Sequence, residues 1–277
     1  MMSLKKEFTF KPRKSENLSL GKISEPPSKD FYKSLVAEDT NDIYSIVQKI
    51  NINSNHDNPH ILTYKSFALE REGNKLRFTV KINNMKTNLL SYIEEKKKKN
   101  ETTTKKEIVN ILYQTAHALE YLHSKGIPHQ NLKLQNIFID YSNKYLISDI
   151  AAPGTNFKTK NEDRLRYSPP EFYEHKAEPF SSDIWALGII ILEAVHRERL
   201  VPLSEIPKDQ WGDYIIKKCQ MLMEIDKDLY EIVLWMLQFR PAERPSFRHL
   251  KRETERKFSL FIHEKLYSLN ELETVRS

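Results

Sequence analysis

Apolar and polar positions follow two different rhythms along this chain. From Leu18 to Leu90 the apolar residues fall in short β-branched and aromatic runs with polar breaks, a texture that predicts strands. Phe31-Tyr-Lys-Ser-Leu-Val36 and Ile43-Tyr-Ser-Ile-Val47 are two such runs, separated by the turn signal Glu38-Asp-Thr-Asn-Asp42. Ile61–Glu70 and Lys75–Ile82 flank Arg71-Glu-Gly-Asn74 and predict a hairpin. After Met85 the period lengthens. Ile108, Ile111, Leu112, Thr115, Leu119 and Leu122 recur at helical spacing. The apolar run Ser181–Val195 predicts a buried helix, and Asp228–Gln238 predicts another that stops ahead of Pro241. Glu94–Lys106 is polar and predicts a connection between two helices. Phe258, Phe261, Ile262, Leu266, Leu269 and Leu272 recur at three- and four-residue steps, which predicts an amphipathic helix over Glu255–Glu273. That helix either covers its own chain or docks on a partner. Strands first and helices after predict an α+β protein, with a small β-rich part followed by a larger helical part.

Composition narrows this picture. The chain has 277 residues, a formal net charge of +6 and one cysteine, so no internal disulfide can form. Its basic runs, Lys5–Lys14 and Lys96–Lys99, could meet acidic lipid or nucleic acid, but they read more simply as solvated segments. Nucleic-acid binding is therefore not expected. No apolar run has the length to span a membrane, and the first ten residues, MMSLKKEFTF, lack the apolar core of a signal peptide. The expected location is the cytoplasm or nucleus. Only six glycines occur and none cluster, so no glycine-rich phosphate cradle is visible.

The chemistry-bearing string is His129-Gln-Asn-Leu-Lys-Leu-Gln-Asn136. It resembles the protein kinase catalytic loop, H-R-D-L-K-x-x-N, with Gln130 in place of Arg and Asn131 in place of the catalytic Asp. An amide can accept and donate hydrogen bonds but has no useful basicity, so Asn131 cannot take the proton that the Asp accepts. Other strings resemble the same family in the same order. Ile147-Ser-Asp149-Ile-Ala151 resembles the D-F-G segment, and Ser168-Pro-Pro-Glu171 resembles A-P-E. Asp183-Ile-Trp185-Ala-Leu-Gly188 resembles the D-x-W-x-x-G helix, and Arg240-Pro-Ala-Glu-Arg244-Pro245 resembles the late Arg-Pro element.

The resemblance covers about Leu18 to Leu250 and implies a two-lobed kinase-like fold. The implied division is a basic flexible tail at 1–17, a small lobe at 18–84, a large lobe at 85–252 and a C-terminal amphipathic helix at 253–277. It also implies a buried Glu171–Arg244 ion pair, Asp183 holding the catalytic-loop backbone, and His129 in the packed spine. Asn136 and Asp149 match the family's metal-binding positions, and Lys133 matches the lysine that neutralises the transferred phosphoryl group. These three residues either hold nucleotide and metal or merely hydrogen-bond the loop that carries them. Gln130 removes the arginine that receives an activation-loop phosphate, while Thr155, Thr159 and Ser168 keep hydroxyls that could be phosphorylated.

The small lobe departs further from the family. Laid on G-x-G-x-x-G, Gly21–Lys29 puts Ser24, Pro26 and Lys29 at the three glycines, and proline has no N–H to offer a phosphate. Ser45-Ile-Val-Gln48-Lys49-Ile50 resembles V-A-I-K-K-I with Gln48 at the phosphate-binding lysine; a one-residue slip would give that role to Lys49. In the Gln48 register, Ile46 replaces a small residue that packs on adenine, and with Phe138 it would partly fill the adenine site. Only eight Asn-rich residues separate Ile50 from Pro59, too few for the regulatory helix whose Glu pairs with that lysine. The small lobe is thus expected to lack this helix.

These departures predict a pseudokinase with no catalytic residues. It would be a non-enzymatic scaffold, binding or allosteric module in signalling, with a protein partner and at most weak binding of ATP and magnesium. The alternative is a weakly active or atypical kinase that transfers phosphate from ATP to protein hydroxyls. On the first reading, restoring Asp at position 131 alone would not restore activity, because the cradle and the Lys–Glu pair would still be missing.

Overall fold

A computed structural model of the chain describes residues 6–9, 31–38, 40–83, 85–151, 162–176 and 178–262. The expected α+β division holds. A four-stranded antiparallel sheet forms first, from β1 (Lys6–Thr9), β2 (Phe31–Ala37), β3 (Tyr64–Glu72) and β4 (Lys75–Ile82), in the order β1-β3-β4-β2. The β3–β4 hairpin turns where expected. Gly73 at its tip has φ +61°, a left-handed conformation that costs glycine nothing. Lys6–Thr9 pairs with Ser66–Leu69 as an edge strand, so part of the expected flexible tail is instead sheet.

The main correction lies between β2 and β3. The run Ile43–Val47, read above as a strand, belongs to helix α1 (Thr40–Ser54). The expectation that the small lobe lacks its helix therefore fails: the helix is present and begins ten residues earlier than the segment searched for it. The run Glu38–Ser54 contains neither Gly nor Pro. Ile46, Ile50 and Asn53 are buried along one side of α1, while Tyr44 and Val47 face solvent. Burial at four- and three-residue steps fits a helix and cannot fit a strand, whose faces alternate. Packing against the sheet overrides the strand preference of the β-branched residues. Ile46, Ile50, Ala37, Phe78, Val80 and Ile82 form the small lobe's core, with half-buried Phe138 against it. Ile46 therefore serves the helix–sheet core and does not occupy a strand beside adenine.

The helical part is built on a larger core centred on α3 (Lys105–Ser124) and α5 (Pro179–His196). It also contains β5 (Thr87–Asn88), α2 (Leu89–Lys98), β6 (Ile137–Ile139), β7 (Tyr145–Ile147) and α4 (Glu162–Tyr167). The remaining helices are α6 (Trp211–Ile225), α7 (Lys227–Met236) and α8 (Phe247–Ile262). The connection expected over Glu94–Lys106 is shorter, because α2 runs on to Lys98. Thr104 starts α3 with a capping box: its hydroxyl accepts from Glu107 N–H while the Glu107 carboxylate accepts from Thr104 N–H. Glu107 also pairs with Lys96 at 2.9 Å, and Lys99 pairs with Glu95 at 2.6 Å. Two cations of the basic run are thus matched by the chain's own acids.

α8 starts six residues before the expected boundary at 253 and lies along α3. Lys251 reaches Glu120 at 2.6 Å, and Tyr113 donates to Glu255 at 2.6 Å. Phe258 is buried, so as far as Ile262 this helix covers its own chain; the rest of the expected helix lies outside the described residues.

Gly188 in α5 marks a close approach. A Cβ there would sit 2.7 Å from Leu237 Cδ2. Gly188→Ala is expected to destabilise the protein by roughly 1–3 kcal/mol, the usual range for overpacking. Urea unfolding would measure this, and an unchanged midpoint would mean that Leu237 moves aside freely.

Candidate active site

The segment between α3 and β6 meets the segment after β7 at the base of α1, and a few buried contacts fix both. Asp183, near the start of α5, accepts from His129 N–H at 2.7 Å and Gln130 N–H at 2.8 Å. This is the role the resemblance implied for it. Its carboxylate also lies 2.9 Å from His123 Nε2. The two backbone bonds hold Gln130 at φ +55°, uncommon for a residue with a side chain. His129 is fully buried, and burial pulls its pKa down, so the ring is neutral. Its Nε2 lies 3.0 Å from the Ser148 carbonyl, which can only accept, so the proton sits on Nε2. Nδ1 then accepts from the Asn131 N–H at 3.3 Å.

These bonds bring together the residues singled out from the sequence. The Asn131 side-chain nitrogen donates to the Asp149 carbonyl at 3.0 Å and to Asp149 Oδ2 at 3.1 Å. Both partners are acceptors, so the amide nitrogen must face them. Asn136 is buried and donates from Nδ2 to the Asn131 carbonyl at 2.7 Å. Lys133 is half-buried at the start of the short 3₁₀ turn Leu134–Asn136. Asp149 has φ +68°, and the Ala151 N–H donates to the His129 carbonyl at 3.0 Å.

Helix α1 supplies what the sequence reading missed. Neither Gln48 nor Lys49 lies on a strand, so neither register for a strand lysine holds. Instead Lys49 Nζ reaches Asp149 Oδ1 at 2.9 Å, with the lysine side chain 22% exposed and the carboxylate 8%. Tyr64 donates to the same oxygen at 3.1 Å. Burial and the Asp149 charge push the Tyr64 hydroxyl far above its usual pKa, so it remains a donor. Asn53 is wholly buried; it accepts from Ile150 N–H at 2.9 Å and donates to the Ile150 carbonyl at 3.0 Å. The spacing of Ile43, Ile46 and Ile50 is compatible with this helix, but the β-branched run fits a strand as well until it packs on the sheet.

A magnesium ion at Asn136 and Asp149 would have to share the carboxylate with a cation. A lysine ammonium stands at 2.9 Å from Asp149 Oδ1, where a metal's own positive charge would have to approach. Asn136 adds no negative charge to offset that cation, and its Nδ2 is taken by the Asn131 carbonyl. The hydroxyl of Ser168 donates to the Arg164 carbonyl at 2.8 Å and the residue is buried, so it is poorly placed for modification. The Ser24/Pro26/Lys29 turn, Thr155 and Thr159 lie outside the described residues.

Glu171 and Arg244 form the implied ion pair, with the two terminal guanidinium nitrogens each 2.7 Å from one carboxylate oxygen. The pair is buried, and Arg244 also donates to the carbonyls of Gln238 and Ser181.

Comparison with known proteins agrees with this layout. The protein kinase domain model matches residues 28–254. The chain is 29% identical over 168 residues to the serine/threonine-protein kinase Nek4 of Mus musculus, covering 57% of this chain and 21% of the relative. It is 30% identical over 138 residues to an Aurora kinase of Saccharomyces cerevisiae, covering 48% and 37%. A serine/threonine-protein kinase stk11 homolog of Dictyostelium discoideum is 24% identical over 222 residues, covering 75% and 36%. The matches thus span about a fifth to two-fifths of these relatives' own lengths. The expectation that the chain is not an enzyme is overturned here, because both the domain and its relatives point to protein kinase enzymes. No helix among the described residues is long and apolar enough to cross a membrane. With the catalytic-loop and D-F-G-like segments joined in one site, the Glu171–Arg244 pair in place and the domain match spanning most of its length, this chain belongs to the protein kinase family.

Proposed function

We propose that the protein is an atypical protein kinase that transfers the γ-phosphoryl group of ATP slowly to hydroxyl groups of a partner protein, in the cytoplasm or nucleus. The observation that carries this reading is the convergence of Asn131, Asn136 and Asp149 in one hydrogen-bonded site, beside a catalytic-loop lysine. In the transfer, the acceptor oxygen forms a bond to the γ-phosphorus while the bond to the β–γ bridging oxygen breaks, releasing ADP. The hydroxyl proton goes to a phosphate oxygen or to water.

Asn131 does not take that proton. With its nitrogen turned to Asp149, its carbonyl oxygen can accept a hydrogen bond from the incoming hydroxyl and orient it. Phosphoryl transfer depends mainly on positioning and charge stabilisation, so a missing base slows it without abolishing it. Loss of general-base help costs about 10²–10⁴-fold, which takes a kinase turnover of roughly 1–100 s⁻¹ down to roughly 10⁻⁴–1 s⁻¹.

Incubating the purified chain with ATP labelled in the γ-phosphate should show slow, linear incorporation into a protein acceptor. Asp149→Ala should remove it, which identifies the chain itself as the source. Incorporation that is absent from wild type, or equal in the Asp149→Ala variant, would refute the reading.

A further inference from the structure

The site's cation comes from a helix. We propose that Lys49 of α1 takes the place of the divalent metal at Asp149, so that the protein binds the phosphates of ATP through an ammonium group and without dependence on magnesium. This rests on the reading of the site as a nucleotide site, and it adds how that site is charged.

Three observations carry the inference. First, the ion pair is short and sits in a defined place. Lys49 Nζ lies 2.9 Å from Oδ1, the same oxygen that accepts from Tyr64, while Asn131 holds Oδ2. The carboxylate is therefore gripped by an ammonium, a phenol and an amide. A magnesium ion demands oxygen ligands at about 2.0–2.1 Å in near-octahedral array. Bound to Oδ1, it would meet the like charge of Lys49 at close range in a half-buried site.

Second, the position of Lys49 is built into the fold. Asn53, one turn later on the same helix, makes two hydrogen bonds to the backbone of Ile150, the residue after Asp149. Its Nδ2 also donates to the Lys49 carbonyl at 2.8 Å. These bonds set the rotation and height of α1 over the Asp149 segment, so Lys49 does not reach the carboxylate by chance of a long side chain. The helix carries a single acid, Asp42, in its first turn, where the Asp42 carboxylate accepts from the Glu38 N–H. No acid on α1 competes for Lys49.

Third, the charges suit a polyanion. Lys49 brings an ammonium to the site, and Lys133 lies on the adjoining catalytic-loop segment. The Lys49 side chain remains partly open to solvent above a buried carboxylate, which leaves a phosphate a way to approach it.

The test is calorimetric titration of the full chain with ATP, once in EDTA and once in excess magnesium. Wild type should bind ATP in EDTA with an affinity less than about fivefold weaker than in magnesium. Lys49→Met keeps length and loses charge; it should bind ATP in EDTA at least about tenfold more weakly than wild type. Lys49→Arg keeps the charge and should bind in EDTA like wild type, which guards against an effect of folding alone. The proposal is overturned if wild type needs magnesium by fivefold or more, if it binds ATP in neither buffer, or if Lys49→Met binds in EDTA as wild type does. Metal-free binding without any phosphate transfer would sink the kinase activity and leave this inference standing. Transfer accompanied by an indifferent Lys49→Met would do the reverse.

Discussion

Asn131→Asp is expected to raise the rate of phosphate transfer by about 10²-fold, the lower end of what a general base contributes. From the sequence alone no such gain is expected, because the phosphate cradle and the Lys–Glu pair would still be missing. The structure changes part of that premise: α1 is present and delivers Lys49 to the site, while the Ser24/Pro26/Lys29 turn lies outside the described residues. The low end of the range follows from local charge. The new carboxylate replaces an amide that donates to Asp149 Oδ2 at 3.1 Å, so two like charges would meet there. Repulsion raises the new acid's pKa above its usual value. Activity requires its ionised form, so the variant's rate should climb with pH through that raised pKa and then level off. Wild type has no base at this position and should lack that limb. A pH–rate profile of both proteins with labelled ATP makes the comparison. An unchanged rate, or a gain with no new acidic limb, would show that hydroxyl orientation and not proton removal limits the reaction.

Breaking the Glu171–Arg244 pair is expected to cost about 3–5 kcal/mol of stability, because removal of either partner strands the other's charge in the interior. The Arg244 side chain is fully covered and that of Glu171 is 5% exposed. In Glu171→Ala, Arg244 would keep its bonds to the carbonyls of Gln238 and Ser181 but lose its counter-charge. Urea unfolding of Glu171→Ala and Arg244→Ala should show this loss in each. If each single variant lost less than about 1 kcal/mol, water must reach the pair in solution, and its part in fixing the large lobe would be small.

The large lobe was legible in the sequence because its signals are local or lie in close-set motifs. The periodic apolar residues of α3, the unbroken apolar run of α5 and the stop before Pro241 each identify an element without knowledge of its neighbours. The β3–β4 hairpin was legible for the same reason, since its turn chemistry lies between two strands that pair with each other. Residue identity was also enough to show that Asn131 is no base, since basicity belongs to the functional group itself.

Only the tertiary structure decided the small lobe's helix and the charge at the site. Ile43–Val47 is β-branched and short, so its local preference points to a strand; burial of Ile46, Ile50 and Asn53 against the sheet and the Asp149 segment makes it a helix. The pairing of Lys49 with Asp149 joins residues 100 positions apart. Nothing in either local sequence encodes that meeting, because it depends on the rotation of α1, which Asn53 sets through the backbone of Ile150. Composition and motif therefore determined which chemical groups this protein has, while packing between distant segments decided which of them face one another.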